Sequence, residues 1–178
     1  MNPKVGFRAA ASRAPRFFAA LALLLSAATT LSAAPAAPAP AAAKPAAAPA
    51  TGPRVIKLKG LETMQYDIKI IQAKPGEALK VVLTGVGSMP KSDMAHNFTL
   101  LAKGTNEDAF VMDAAMAKDN GYMPKAKASS VLASTKLAGG GETVEVVFNA
   151  PKEPGEYTYL CTFPAHSMSG MKGKLVVK

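Results

Sequence analysis

Cys161 to Lys178 reads CTFPAHSMSGMKGKLVVK, and the rest of the chain is best read outward from it. The stretch holds the only cysteine, one of the two histidines and a methionine, spaced as Cys161, four residues, His166, four residues, Met171. On its N-terminal side Tyr157, Tyr159, Cys161 and Phe163 alternate with their neighbours, and beyond it Met171, Gly173, Leu175 and Val177 do the same. Period two marks strands with one buried face. Cys161 therefore closes one strand, Met171 opens the next, and both point inward, joined by a loop that Pro164 stiffens.

The same rhythm extends upstream to Arg54. Ile56 and Leu58 alternate with lysines; Met64, Tyr66, Ile68 and Ile70 share one parity; after the Pro75-Gly76 turn, Leu79, Val81 and Leu83 share another. A strand over about 96–101 puts His96, Phe98 and Leu100 on one inward face. Residues 130–137 form a strand before the Gly139-Gly140-Gly141 turn, and Val144, Val146 and Phe148 face inward in the next. Glu107 to Lys118 breaks the pattern: Phe110 with Ala114 and Met112 with Met116 repeat at i and i+4, Asn106 suits an N-cap, and Asn120-Gly121 a stop. It reads as a short helical insert, with Met112 and Met116 as packing residues. Seven or eight short strands with turns at about ten-residue intervals predict an all-β, Greek-key sandwich.

The first third of the chain is different. Residues 1–34 run from a basic start, through the uncharged apolar stretch Phe17–Leu25, to small residues, the pattern of a secretory signal. Left uncleaved, it would be an N-terminal anchor. Residues 35–53 repeat Ala-Pro steps with one charge, Lys44, and read as a semi-extended linker that would tether the domain if the anchor stays. Residues 54–178 form the folded domain. The formal charge of +9 overstates it, because from Arg54 onward 16 Lys and Arg face 12 Asp and Glu. No basic block interleaved with aromatics points to nucleic acid. A monomer meets every demand of the sequence.

A thiolate, an imidazole and a thioether on one short segment suit copper, and a second imidazole would complete a plane of two histidines and a cysteine with a weak axial methionine. Only His96, in MAHNFTLL, can supply it. Taken singly, each residue has a plainer reading: Cys161 as a small buried hydrophobe, His96 as a core histidine, His166 as surface, Met171 as core. Their joint placement on inward parities favours one mononuclear copper site. An unpaired thiol in an exported chain is also an oxidation hazard that ligation would remove. Met168 lies two residues after His166 and has the opposite parity to Met171, so Met171 is the better axial donor.

These segments resemble the cupredoxin family of blue, type 1 copper proteins, and within it the azurin/auracyanin group. Met94-Ala95-His96-Asn97 before an apolar strand, CTFPxH followed by MKGxL, the Ser134–Leu137 stretch and GGGETVEVVF carry the likeness over roughly Arg54–Lys178. The His-to-Met spacing is that of auracyanin, azurin having one residue fewer. The resemblance implies copper held by His96, Cys161, His166 and Met171, with the Ala95 carbonyl as a distant axial contact. It implies that Asn97 bonds to the Thr162 side of the ligand loop, and that the N–H groups of Asn97 and Phe163 point at the sulfur. Azurin has glycine where Ala95 and Ala165 stand, and its disulfide has no counterpart in a chain with one cysteine.

The function expected is one-electron transfer between protein redox partners outside the cytoplasm, in the periplasm, with no bond chemistry and no catalytic residue. The family presents the second histidine's edge in an apolar patch; Met89, Met94, Pro164, Ala165 and Met168 are the candidates for it, with Lys91 and Lys172 at the rim favouring an acidic partner. The alternatives are a copper delivery or storage module, a thiol enzyme pairing Cys161 with a histidine base, and a copper-free structural sandwich. The inward parity of Cys161 argues against the enzyme.

Overall fold

A computed structural model describes residues 52–178; the expected signal segment and all but the end of the Ala/Pro linker lie outside the described residues. Nine strands make two sheets. In the first, β1 (Arg54–Leu61) lies between β2 (Gln65–Tyr66) and β4 (Ala78–Val86), and β7 (Thr143–Asn149) closes the edge. In the second, the order is β3 (Ile70–Ala73), β9 (Lys172–Val177), β8 (Gly155–Leu160), β5 (Thr99–Leu101) and β6 (Val131–Ser134). The β1–β4 and β3–β9 pairs are parallel and the others antiparallel. The expected all-β sandwich is therefore the observed one.

The alternating residues meet between the sheets. Leu58, Leu79, Val81 and Leu83 from one side pack with Phe98, Leu100, Tyr159 and Leu175 from the other, all essentially inaccessible to water. Burying a side chain of this size stabilises by about 1.5–3 kcal/mol. Val144, Val146 and Phe148 of β7 are half-buried against the same core. An aromatic group runs through its middle, with ring centroids 5.5 Å apart for Tyr66–Tyr159 and 5.2 Å for Phe98–Tyr159. Gly173 is glycine because Tyr159 lies across it: a Cβ there would come 2.3 Å from the ring.

The insert folds as a helix, α1 (Glu107–Ala115), whose Asn106 side chain accepts from the Ala109 N–H at 3.0 Å, the N-cap bond that the sequence suggested. Phe110 and Val111 bury against Leu101 and Leu160, and Ala114 is buried as well. The packing role expected for Met112 and Met116 is wrong: they are 64% and 88% exposed. At 3.6 residues per turn their i, i+4 stripe lies about 170° around the helix from the buried one.

Three strand readings also need correction. The segment before β5 does not run as a strand from residue 96; Ala95 to Leu101 is buried on both faces, and ladder pairing begins at Thr99. The strand read over residues 130–137 is shorter, Val131–Ser134. Ile70, expected inward, is 62% exposed, while Ile71 is buried. The physical reason is a change of sheet: β2 pairs with β1, but β3 pairs with β9, so the chain crosses between layers at Asp67–Lys69 and its parity resets.

Candidate metal centre

Three connections between strands meet at one end of the sandwich. His96 precedes β5 and is fixed by a reciprocal main-chain pair with Ala138, at 2.8 and 2.7 Å. Cys161 follows β8, and its N–H donates to the Met171 carbonyl at 3.1 Å. His166 lies in the intervening loop, whose ends close through Met171 N–H to His166 carbonyl at 2.9 Å and His166 N–H to Phe163 carbonyl at 3.1 Å. The two segments are clamped by a pair of hydrogen bonds: Asn97 Nδ2 donates to Thr162 Oγ1 at 2.7 Å, and Thr162 N–H donates to Asn97 Oδ1 at 2.8 Å.

The result brings the ligating atoms of His96, Cys161 and His166 within 4.8 Å of one another, all three residues buried. Cys161 Sγ is 3.4 Å from His166 Nδ1 and 3.9 Å from the Ala95 carbonyl, and the two imidazole centroids are 5.1 Å apart. Met171 is fully buried and tied by its backbone to both Cys161 and His166, whereas Met168 is 78% exposed.

Electrostatics fit a metal. Burial pushes the Cys161 thiol up to about 12, with the N–H groups of Asn97 and Phe163 working against it, so a cation is needed to hold the thiolate. Burial, with the neighbouring His96, lowers His166 to about 4, and burial lowers His96 as well. Both rings are therefore neutral near pH 7 and carry a free lone pair. His96 Nδ1 is buried and has no hydrogen-bond partner. A ring nitrogen left unpaired out of water costs about 1–3 kcal/mol, and a soft cation between it and the sulfur would repay that cost.

Residues 55–178 match the copper-binding protein family of plastocyanins and azurins. The chain belongs to that family. Within this cupredoxin family it is 34% identical to azurin from Alcaligenes faecalis over 123 residues, covering 67% of this chain and 94% of that one. It is 36% identical to outer membrane protein H.8 from Neisseria meningitidis over 118 residues, covering 65% of this chain and 63% of that one. Among solved structures it is similar to auracyanin A, a blue copper protein from Chloroflexus aurantiacus, with a TM-score of 0.62 and 32% identity over 71% of this chain and all of that one. The chain is a cupredoxin of the azurin/auracyanin group, and its one His-Cys-His cluster among the described residues fits one type 1 copper per chain.

The surroundings of the cupredoxin centre include residues that spacing did not single out. Gly60 on β1 lies against the His96 ring; a Cβ there would sit 2.6–2.8 Å from three ring and Cβ atoms. The signal was available, since Gly60 takes the inward parity of Ile56 and Leu58, and a strand glycine marks close approach. Tyr66 donates its hydroxyl to the Asn97 carbonyl, so one tyrosine braces the residue whose N–H faces the sulfur. Gln65 and Lys69 hold the far end of the ligand loop, donating to the Ser169 and Gly170 carbonyls at 2.7 and 2.9 Å.

The residues expected to form an apolar patch over His166 differ in exposure. Met89 is 42% exposed, Ala165 is exposed, and Pro164 and Met94 are half-buried, while His166 itself shows only 2% of its surface. The open imidazole edge expected there is a narrow one. Lys91 and Lys172, expected at the rim, are paired with Glu142 at 2.6 Å and Glu107 at 3.2 Å. Ala165 has φ 68°, the left-handed region that glycine adopts freely.

Two substitutions test this reading of the centre. Gly60→Ala drives a methyl into the His96 ring, and we expect about 10–100-fold weaker Cu(II) binding with the sandwich intact by circular dichroism. Ala165→Gly relieves left-handed strain of about 1–2 kcal/mol but gives back part of it as unfolded-chain entropy, so denaturant unfolding should show a net gain of about 0.5–1 kcal/mol.

Proposed function

We propose that the chain is a one-electron carrier in which His96, Cys161, His166 and Met171 would hold a single copper ion. The observation that carries this is the buried, neutral donor set within 4.8 Å, with an unpartnered His96 nitrogen, in a chain of a copper-binding family. Copper bound there supplies one-electron chemistry between Cu(I) and Cu(II). The protein's part is to hold its donors still.

Each donor is restrained by a different device. His96 is fixed by its main-chain pair with Ala138 and by Gly60 against its ring; Cys161 by the Met171 carbonyl; His166 by the loop-closing bonds and by Phe163, whose ring centroid lies 4.8 Å away. Donors that cannot rearrange make both oxidation states tolerable in one geometry, and little else moves when charge changes. The Asn97 and Phe163 N–H groups favour sulfur as thiolate, which tunes the potential.

Electron exchange with a protein partner would cross an apolar patch beside His166, with Met89, Met94, Pro164, Ala165 and Met168 as the contact. Small apolar contacts suit short-lived redox encounters. Export from the cytoplasm is proposed from the signal-like residues 1–34, with residues 35–53 as linker and 54–178 as the copper domain; no helix among the described residues is long and apolar enough to cross a membrane. A monomer suffices for the activity.

The Cu(II)-loaded protein should show an intense visible thiolate charge-transfer band and a narrow hyperfine splitting in paramagnetic resonance, and Cys161→Ser should abolish both. A colourless parent whose Cys161 alkylates rapidly would instead support the thiol enzyme. Loss of copper to a competing apo-protein during redox cycling would support a delivery module. Met171→Leu should keep the colour and raise the reduction potential, because the Cu(II) state loses a donor; Met168→Leu should leave the potential unchanged.

A further inference from the structure

We propose that the thioethers of Met112 and Met168, with the carboxylate of Asp108, form a second, exchangeable Cu(I) site on the surface beside the buried centre, from which the ion passes inward past Ser167. The two methionines come from unrelated segments, helix α1 and the ligand loop, yet both line one cavity of about 340 Å³. Asp108, Val111, Ser167, Gly170 and Lys172 complete its walls. Ser167 is the direct neighbour of His166, so the cavity abuts the loop that carries a proposed ligand.

The chemistry selects the ion. Both thioethers are held out in solvent, at 64% and 78% exposure, and Met112 faces away from the stripe through which α1 packs. Thioether sulfur is a soft, uncharged donor that prefers Cu(I) to Cu(II), zinc or magnesium. Asp108 supplies a carboxylate in the same wall, while the cation there, Lys172, is held by Glu107 at 3.2 Å. Two sulfurs and one oxygen hold Cu(I) loosely enough to give it up.

Transfer inward involves no change of oxidation state. The ion leaves two thioethers and a carboxylate, gains the Cys161 sulfur and the imidazole nitrogens, and the thiol proton goes to solvent. This step rests on the buried centre proposed above, but the surface site does not.

The test is anaerobic titration of the full chain, carrying ¹³C-methyl methionine, with a Cu(I)–acetonitrile complex, after the buried centre has been filled with Cu(I) and again in Cys161→Ser. The Met112 and Met168 methyl signals should shift together and saturate at one added equivalent, while Met89, 42% exposed but outside the cavity, stays still. Met112→Leu and Met168→Leu, conservative in volume and at exposed positions, should each weaken this binding by about tenfold or more without altering the visible spectrum of the Cu(II) protein. No shift, or a shift of Met89 in parallel without saturation, would overturn the site. Cu(I) loading of the metal-free full chain, followed by stopped flow, should slow by about tenfold in the double leucine variant; an unchanged rate would overturn the inward passage. Because the methyl titration is read in Cys161→Ser too, its outcome is independent of whether the parent protein shows a blue band.

Discussion

A thiol and two neutral imidazoles held within 4.8 Å of one another, away from water, are the constraint on which the rest of this protein depends. Left to themselves these groups would separate, hydrate or find hydrogen bonds. His96 Nδ1 finds none, and Cys161 keeps its proton because burial disfavours the thiolate. An arrangement that is locally unfavourable persists only when its surroundings over-determine it. The sandwich does this by bringing three chain segments to one end and binding each to another: His96 to Ala138, Asn97 to Thr162, Cys161 to Met171.

The bracing is redundant, and its energetic origin lies in the core. The Asn97–Thr162 clamp holds only if the strands leading to each residue cannot slide, and those strands are fixed by side chains between the sheets rather than by the clamp itself. Phe98 and Leu100 follow His96 and Asn97 directly into the core, and Tyr157 and Tyr159 lead up to Cys161. A one-residue slip of either strand would turn these side chains out of the inter-sheet core onto the opposite face, where Leu101 and Leu160 pack against α1, and His96 or Cys161 with them. Tyr66 links the two levels: its ring packs on Tyr159, and its hydroxyl reaches the Asn97 carbonyl. Hydrophobic packing thereby sets a polar geometry.

This coupling explains which features could be read from the sequence. Parity along a strand reports which side chains face the core, so the inward placement of Met171 followed from its neighbours, as did that of Leu79, Val81 and Leu83, whereas around His96 both parities are buried. Parity fails where a strand changes sheets: nothing in Asp67–Lys69 announces the crossing that exposes Ile70 and buries Ile71. It also cannot rank two stripes on one short helix. Phe110–Ala114 and Met112–Met116 repeat identically, and only the neighbours Leu101 and Leu160 decide which is buried. Backbone conformation at Ala165 was equally hidden, since alanine carries no mark of a positive φ. Gly60 was legible, a glycine at an inward position that nothing in β1 itself required.

Burial of the centre sets a limit on its use, because an electron must leave a site from which water is excluded. The ligand loop resolves this by alternating inside and outside over a few residues: Cys161, Thr162 and Phe163 are buried, Ala165 is exposed, His166 and Ser167 are buried, and Met168 and Ser169 are exposed. His166 thus lies between exposed Ala165 and exposed Met168 along the loop, so the buried ring is only a residue or two from surface positions. The same alternation that places His166 just beneath the surface places Met168 just above it, against the cavity shared with Met112. One loop therefore links the buried donor set to the only part of its own surface where soft donors meet solvent, and any change to its length would alter both at once.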